Sequence, residues 1–190
     1  MEMIRYEKHR ELLRVMLRNH SVKRGEFVLA SGEKSTVYVD VRLTALRAEA
    51  TPLIGRIFIE KMHDRGWMPD AVGGLTMGAD PIVTAISRES LEYGLSIDGF
   101  LVRKEAKRHG RQQYIEGLPD TGVRRVIIVE DVCTTGGSAL TAVKHARSAK
   151  LEVLGVIALV DREQGGGAAI DAMGCPFERI FTMSELLEES

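Results

Sequence analysis

At 190 residues the chain can bury one sizeable core but not two comfortable ones. Its 44% hydrophobic and 28% charged residues suit a soluble globular protein, and a net charge of −1 excludes a global basic field that would draw it to nucleic acid or anionic membranes. The two cysteines, Cys133 and Cys175, have no C-x-x-C spacing and form no disulfide framework, which fits a reducing compartment. The first twenty residues are charged throughout and lack a signal-peptide core. No window approaches the roughly 18 to 20 apolar residues of a membrane span. A cytoplasmic protein with no membrane or nucleic-acid partner is the expectation.

In chain order, residues 5–19 set Leu12, Leu13, Val15, Met16 and Leu17 among charges and predict an amphipathic helix. FVLASGEKSTVYVDV (27–41) predicts two short strands around a turn. In the second, Val37, Val39 and Val41 alternate with Thr36, Tyr38 and Asp40, giving one apolar face. A helix is expected over 49–63, with Pro52 in its first turn and an end near Gly66. AVGGL (71–75) reads as a strand leading into the turn TMGAD, then a helix from Pro81 to about Tyr93. Strands follow at Gly99–Arg103, 124–130 and 151–161, with a helix over Ser138–Ala149 and a short strand and helix closing the chain. Strands alternating with helices predict an α/β fold whose central, mostly parallel sheet is covered on both faces. Ligands then belong at the rim formed by the strands' C-terminal ends.

The stretch VIIVEDVCTTGGSA (126–139) carries the most chemistry. A strand–loop–helix unit aims backbone N–H groups and a helix dipole at an anion. Its two glycines allow close approach, and Thr134, Thr135 and Ser138 add hydroxyls. It lacks the GxxxxGK[ST] pattern, so a single phosphate monoester fits better than a nucleoside triphosphate. Glu130 and Asp131 would repel that phosphate unless the ligand also brings donors or a cation. A sugar phosphate supplies hydroxyl donors, and the acids would favour positive charge developing on its ring. The plainer reading is a strand-end acid pair capping Ser/Thr turns.

The pattern of apolar strand, two acids and T-T-G-G-S resembles the phosphoribosyl-diphosphate (PRPP) binding motif of type I phosphoribosyltransferases. The resemblance implies that Glu130 and Asp131 hold the ribose hydroxyls, while Val132, Cys133, Thr134, Thr135, Gly136, Gly137 and Ser138 wrap the 5′-phosphate.

LVRKEAKRHGRQQYIEG (101–117) clusters Arg103, Lys104, Lys107, Arg108 and Arg111 around His109. By itself it signals something anionic, or a plain solvated loop. Its R-K-x-x-K-x-H-G spacing resembles the mobile loop of orotate phosphoribosyltransferases. That implies PRPP-diphosphate contacts from Arg103, Lys104, Lys107 and His109, with Lys107, His109 and Asp131 as catalytic residues. It also implies a homodimer in which loop 103–111 reaches the neighbouring site. Asp161-Arg162 ends a buried strand. A lone strand-end arginine is commonly a surface ion pair, but the resemblance puts an arginine here to hold the orotate carboxylate, bidentate in geometry. Residues 27–40 resemble the hood segment F-x-L-x-S-G-x-K-S-x-x-Y-x-D that covers the pyrimidine, implying orotate contacts from Lys34 and Tyr38, with Thr134 beside them. GLTMGADPI (74–82) resembles the segment after the first sheet strand.

The chain departs from the pattern at Ala30, where some members have lysine, at Thr36, where many have proline, and at Thr76-Met77-Gly78, where some have a loop lysine. The resemblance implies one domain over 1–190, with a hood from about 1–45 plus the C-terminal segment and a core of about 50–165. The implied activity is orotate phosphoribosyl transfer with Mg²⁺, held mainly through PRPP and water rather than by direct protein ligands. A purine phosphoribosyltransferase and a PRPP-sensing regulator without catalysis are the rival readings.

Overall fold

The computed structural model describes residues 2–28, 34–105, 114–118 and 125–188. The chain opens with helix α1, Glu2–His20, followed by an antiparallel hairpin of β1, Val22–Val28, and β2, Lys34–Val39. The first hairpin strand therefore begins five residues before the predicted one. β2 also stops short of Val41, which is buried at the start of the four-residue helix α2, Arg42–Ala45. Helix α3, Ala50–Asp64, and strand β3, Ala71–Leu75, lie within a residue of their predicted limits. Helix α4, Asp80–Ser90, ends in a single 3₁₀ turn, Leu91–Tyr93, which Gly94 terminates at φ 68°.

Strands β4, Asp98–Val102, and β5, Ile115–Glu116, precede β6, Arg125–Cys133, and helix α5, Gly137–Ser148. Strand β7, Glu152–Asp161, helix α6, Gly166–Ala172, strand β8, Phe177–Thr182, and helix α7, Met183–Leu187, complete the described chain. Neither β5 nor α6 is foreseen in the sequence.

The six-stranded sheet has the order β5-β4-β3-β6-β7-β8. All its pairings are parallel except that of the short edge strand β5 with β4. Along β6, Ile127 and Val129 pack with α1, α3 and α4, while Val126 and Ile128 pack with α5 and α6. A continuous apolar run is what a strand buried on both faces requires. The hood joins this body through α1: Leu13 and Leu17 are fully buried, and Arg10 donates to the Ile180 carbonyl and to Glu185. No helix among the described residues is long and apolar enough to cross a membrane.

Candidate active site

β3 is hydrogen-bonded to β4 on one side and β6 on the other, so the chain reverses its direction of travel across the sheet at β3. Helix α4 after β3 packs on one face of the sheet and α5 after β6 on the other, the arrangement that in α/β sheets places a ligand crevice at the strands' C-terminal ends. Four segments converge on that rim: the turn after β3, Lys104 after β4, the 130–138 stretch on β6, and Arg162 after β7.

The acid pair lies within β6, because pairing to β7 continues past it through Val132↔Val160 and Cys133↔Asp161. Neighbours on a flat strand point to opposite faces. Here the alternation slips: Val129 and Val132 both pack with the α3–α4 side, and Cys133 packs with the α5 side. The consecutive acids Glu130 and Asp131 sit within this stretch, near the C-terminal end of β6. Glu130 is only 7% exposed. Burial above all, and then the Asp131 charge, pushes its carboxyl up to about 9, against a smaller opposing pull from Lys104. Asp131 is half-buried, and its Oδ1 accepts a hydrogen bond of 2.9 Å from the Val132 N–H. The turn Thr76-Met77-Gly78 closes over this carboxylate. A methyl group on Gly78 would lie 2.5 Å from Asp131 Cγ, so glycine is what lets the turn approach.

After Cys133, residues 134–136 loop into α5. Gly136 adopts φ 82°, a left-handed conformation that turns the chain into the helix. Thr134 is half-buried, whereas Thr135, Gly137 and Ser138 are exposed at the helix N-terminus. The loop rests on Gly166, the first residue of α6. A methyl there would fall 2.5 Å from the Thr134 carbonyl oxygen, 2.5 Å from Cys133 Sγ and 2.9 Å from the Gly136 nitrogen. Cys133 is buried, and burial with the nearby Asp161 and Glu130 charges pushes its thiol up to about 12, so it is inert at neutral pH.

The Arg162 N–H donates to the Cys133 carbonyl at 2.8 Å, fixing the end of β7 beside the loop. Its half-buried guanidinium makes no ion pair with any described residue. That sets it apart from the surface ion pair a strand-end arginine usually makes. Arg103 is engaged: its guanidinium lies 3.4 Å from Glu116, and its N–H donates to the Tyr114 carbonyl. Lys104 is exposed and acts on Glu130 across the crevice mouth. Lys107 and His109 lie outside the described residues, as does Ala30. Lys34 and Tyr38 sit on the exposed face of β2, Tyr38 with its ring centroid 5.6 Å from that of Phe27.

Three contributions are invisible in the sequence. Arg42, paired with Asp40 at 2.9 Å, brings a positive charge from the hood toward Asp131. Tyr114 stacks on His145 of α5 with centroids 3.7 Å apart, tying the start of β5 to the helix that follows the 134–136 loop. Gly166 supports the loop from beneath. Only the run Gly165-Gly166-Gly167 could have signalled a close backbone approach there.

Residues 45–174 match the family model described as a phosphoribosyl transferase domain. The orotate phosphoribosyltransferase of Corynebacterium glutamicum (strain R) is 46% identical over 171 residues, 90% of each chain. The Mycobacterium tuberculosis orotate phosphoribosyltransferase in complex with Fe(III) dicitrate superposes with a TM-score of 0.83 at 43% identity, over 95% of this chain and 99% of that one. The same enzyme in complex with PRPP gives a TM-score of 0.75 at 38% identity, covering 94% and 92% of the two chains.

Proposed function

The chain belongs to the phosphoribosyltransferases, and within them to the orotate phosphoribosyltransferases, and from that premise we propose how its own residues carry the reaction. The enzyme joins orotate to the ribose 5-phosphate of PRPP, giving orotidine 5′-monophosphate and diphosphate for pyrimidine synthesis. The observation that carries the assignment of roles is that the acid pair, the 134–138 loop and Arg162, which makes no ion pair among the described residues, share one rim at the sheet's switch point.

In this reading the N–H groups of 134–138 and the dipole of α5 hold the 5′-phosphate. Glu130 and Asp131 accept from the ribose hydroxyls. Their negative charge favours the positive charge that builds on the ring as the bond to diphosphate breaks. Arg162 grips the orotate carboxylate and aims N1 at C1, with Thr134 beside it and Lys34 and Tyr38 covering the base from the hood. Lys104, with Arg103, Lys107 and His109, neutralises the departing diphosphate, and His109 is a candidate proton donor to it. No protein nucleophile is required, because orientation and charge stabilisation account for the acceleration.

The site suits a divalent cation that arrives with the substrate. Its acids create negative potential beside the diphosphate, and among the described residues no three His, Cys, Asp or Glu side chains converge into a metal cage. Mg²⁺ brought in with PRPP, rather than held by direct protein ligands, would supply charge neutralisation on the leaving group. Two panels test the base. Orotate absorbance should fall with PRPP and Mg²⁺ present, whereas hypoxanthine and adenine should not be consumed. Turnover of only the purines would reverse the assignment, and PRPP binding without any turnover would make the chain a regulator.

We take the chain as one cytoplasmic domain, a hood of about 1–45 with the C-terminal segment over a core of about 50–165, acting as a homodimer. In the dimer, loop 103–111 of one protomer serves its partner's site. Mixing Asp131→Ala and Lys107→Ala chains, each inactive alone, should then restore activity in mixed dimers. Mixtures as inactive as the separate variants would place both residues in one protomer's site.

A further inference from the structure

Glu130 has a buried oxygen that the protein itself leaves unsatisfied. Its Oε2 is buried with no hydrogen-bond partner among the described residues, and the next residue is a second carboxylate, Asp131, whose Oδ1 is taken up by the Val132 N–H. Two adjacent ionised carboxylates repel, and a buried carboxyl with an oxygen that no donor reaches favours its protonated, uncharged form. The surroundings supply little positive charge to replace the proton. Lys104, after β4, acts on Glu130 from an exposed position, and Arg42 of α2 acts on Asp131 while committed to Asp40. On the same strand Cys133 is a neutral thiol, and β7 contributes another acid, Asp161, with Arg162 beyond it. β3 and its turn bring no titratable side chain before Asp80 at the start of α4.

We propose that Glu130, the buried member of the acid pair, carries a proton in the free enzyme and gives it up to solvent when PRPP binds. This rests on the assignment of the pair to the ribose hydroxyls. Those hydroxyls donate to both carboxyls, including the orphaned Oε2, and the cation on the diphosphate adds positive charge nearby. Both effects stabilise the doubly ionised pair that the empty crevice does not support. Burial and the Asp131 charge, which raise Glu130 to about 9, are consistent with a carboxyl protonated at neutral pH. PRPP affinity is therefore proton-linked: it should strengthen as pH rises toward that value, with the energetic cost of removing the proton diminishing.

The test is calorimetric titration of Mg²⁺·PRPP into the full chain at about pH 8, where phosphate monoesters are already ionised. Buffers of different ionisation enthalpy give the number of protons exchanged. Wild type should release about one proton more than Glu130→Gln, which mimics the protonated carboxyl. The difference between the two removes any proton exchanged by His109 or by PRPP itself. Equal counts in two proteins that both bind would overturn the proposal. Failure of wild type to bind PRPP at all would instead overturn the functional reading beneath it. Infrared difference spectra of wild type keep the test open should the variant not bind. A protonated-carboxyl stretch, assigned by isotopic labelling of glutamate and aspartate, should be present in the free enzyme and lost on adding Mg²⁺·PRPP. Its absence from the free enzyme would equally refute the idea.

Discussion

Replacing Gly166 by alanine is expected to weaken PRPP binding about 10- to 100-fold, although the residue is expected to touch no substrate. A Cβ at this position meets the Thr134 carbonyl oxygen and Cys133 Sγ at 2.5 Å and the Gly136 nitrogen at 2.9 Å. Two of those atoms are backbone, so neither can turn aside as a side-chain tip would. Either α6 moves or the phosphate loop does, and overpacking of this kind costs about 1–3 kcal/mol. The loop is the softer of the two. α6 is anchored to β8, where the Phe177 N–H donates to Asp171 at 3.0 Å, whereas Thr134–Gly136 is irregular backbone held at its ends. A displaced loop no longer aims its N–H groups at one point, so the loss should fall on PRPP affinity more than on orotate affinity. Direct binding measurements check this, with a thermal melt beside them. A lower Tm with an unchanged Kd for PRPP would make the contact structural only.

Arg162→Ala is expected to raise the Kd for orotate roughly 30- to 150-fold, the equivalent of about 2–3 kcal/mol for a charge-assisted bidentate pair. PRPP affinity should change far less. The basis is the state of the residue: half-buried at the rim, its backbone N–H fixed to the Cys133 carbonyl, and its side chain without a described ion-pair partner. An arginine already committed to a carboxylate would need to release it before binding substrate; among the described residues Arg162 has none to release. Arg162→Lys should recover only part of the loss, since an ammonium keeps the charge but not the planar fork. Equal weakening of orotate and PRPP would reduce Arg162 to a support for the loop.

Much of the sheet was legible because its strands are buried on both faces and so read as unbroken apolar runs. β3 at Ala71–Leu75 and β7 at Glu152–Asp161 are of this kind. β5 was not legible, since two residues carry no periodicity and its identity as a strand comes only from pairing with Leu101 and Val102. The glycine run 165–167 reads locally as a helix breaker, yet α6 begins inside it because contact with the phosphate loop excludes a larger residue. Paired acids likewise suggest a strand end. β6 nevertheless runs three residues beyond Glu130, because its partner β7 continues beside it and the buried carboxyl is tolerated.

The site divides in the same way. Glu130, Asp131 and the T-T-G-G-S loop stand out by residue type and spacing and Arg162 through the family resemblance alone, and the fold puts all of them at the C-terminal ends of β6 and β7. The close packing of Gly78 on Asp131, the reach of Arg42 and the Tyr114–His145 stack depend on residues far apart in the chain, which no local pattern encodes. The slip in alternation at Glu130–Asp131 is subtler. It is visible only when Val132 is found packing on the same side as Val129.

The central claim is that one crevice, between the ends of β3 and β6, holds ribose, phosphate and base together. A crystal structure of the enzyme with PRPP, Mg²⁺ and an unreactive orotate analogue tests it most directly. The 5′-phosphate should lie against the N–H groups of 134–138, the ribose hydroxyls on Glu130 and Asp131, and the analogue's carboxylate on Arg162. A phosphate bound away from the 134–138 loop, or a ribose turned away from the acid pair, would contradict the account.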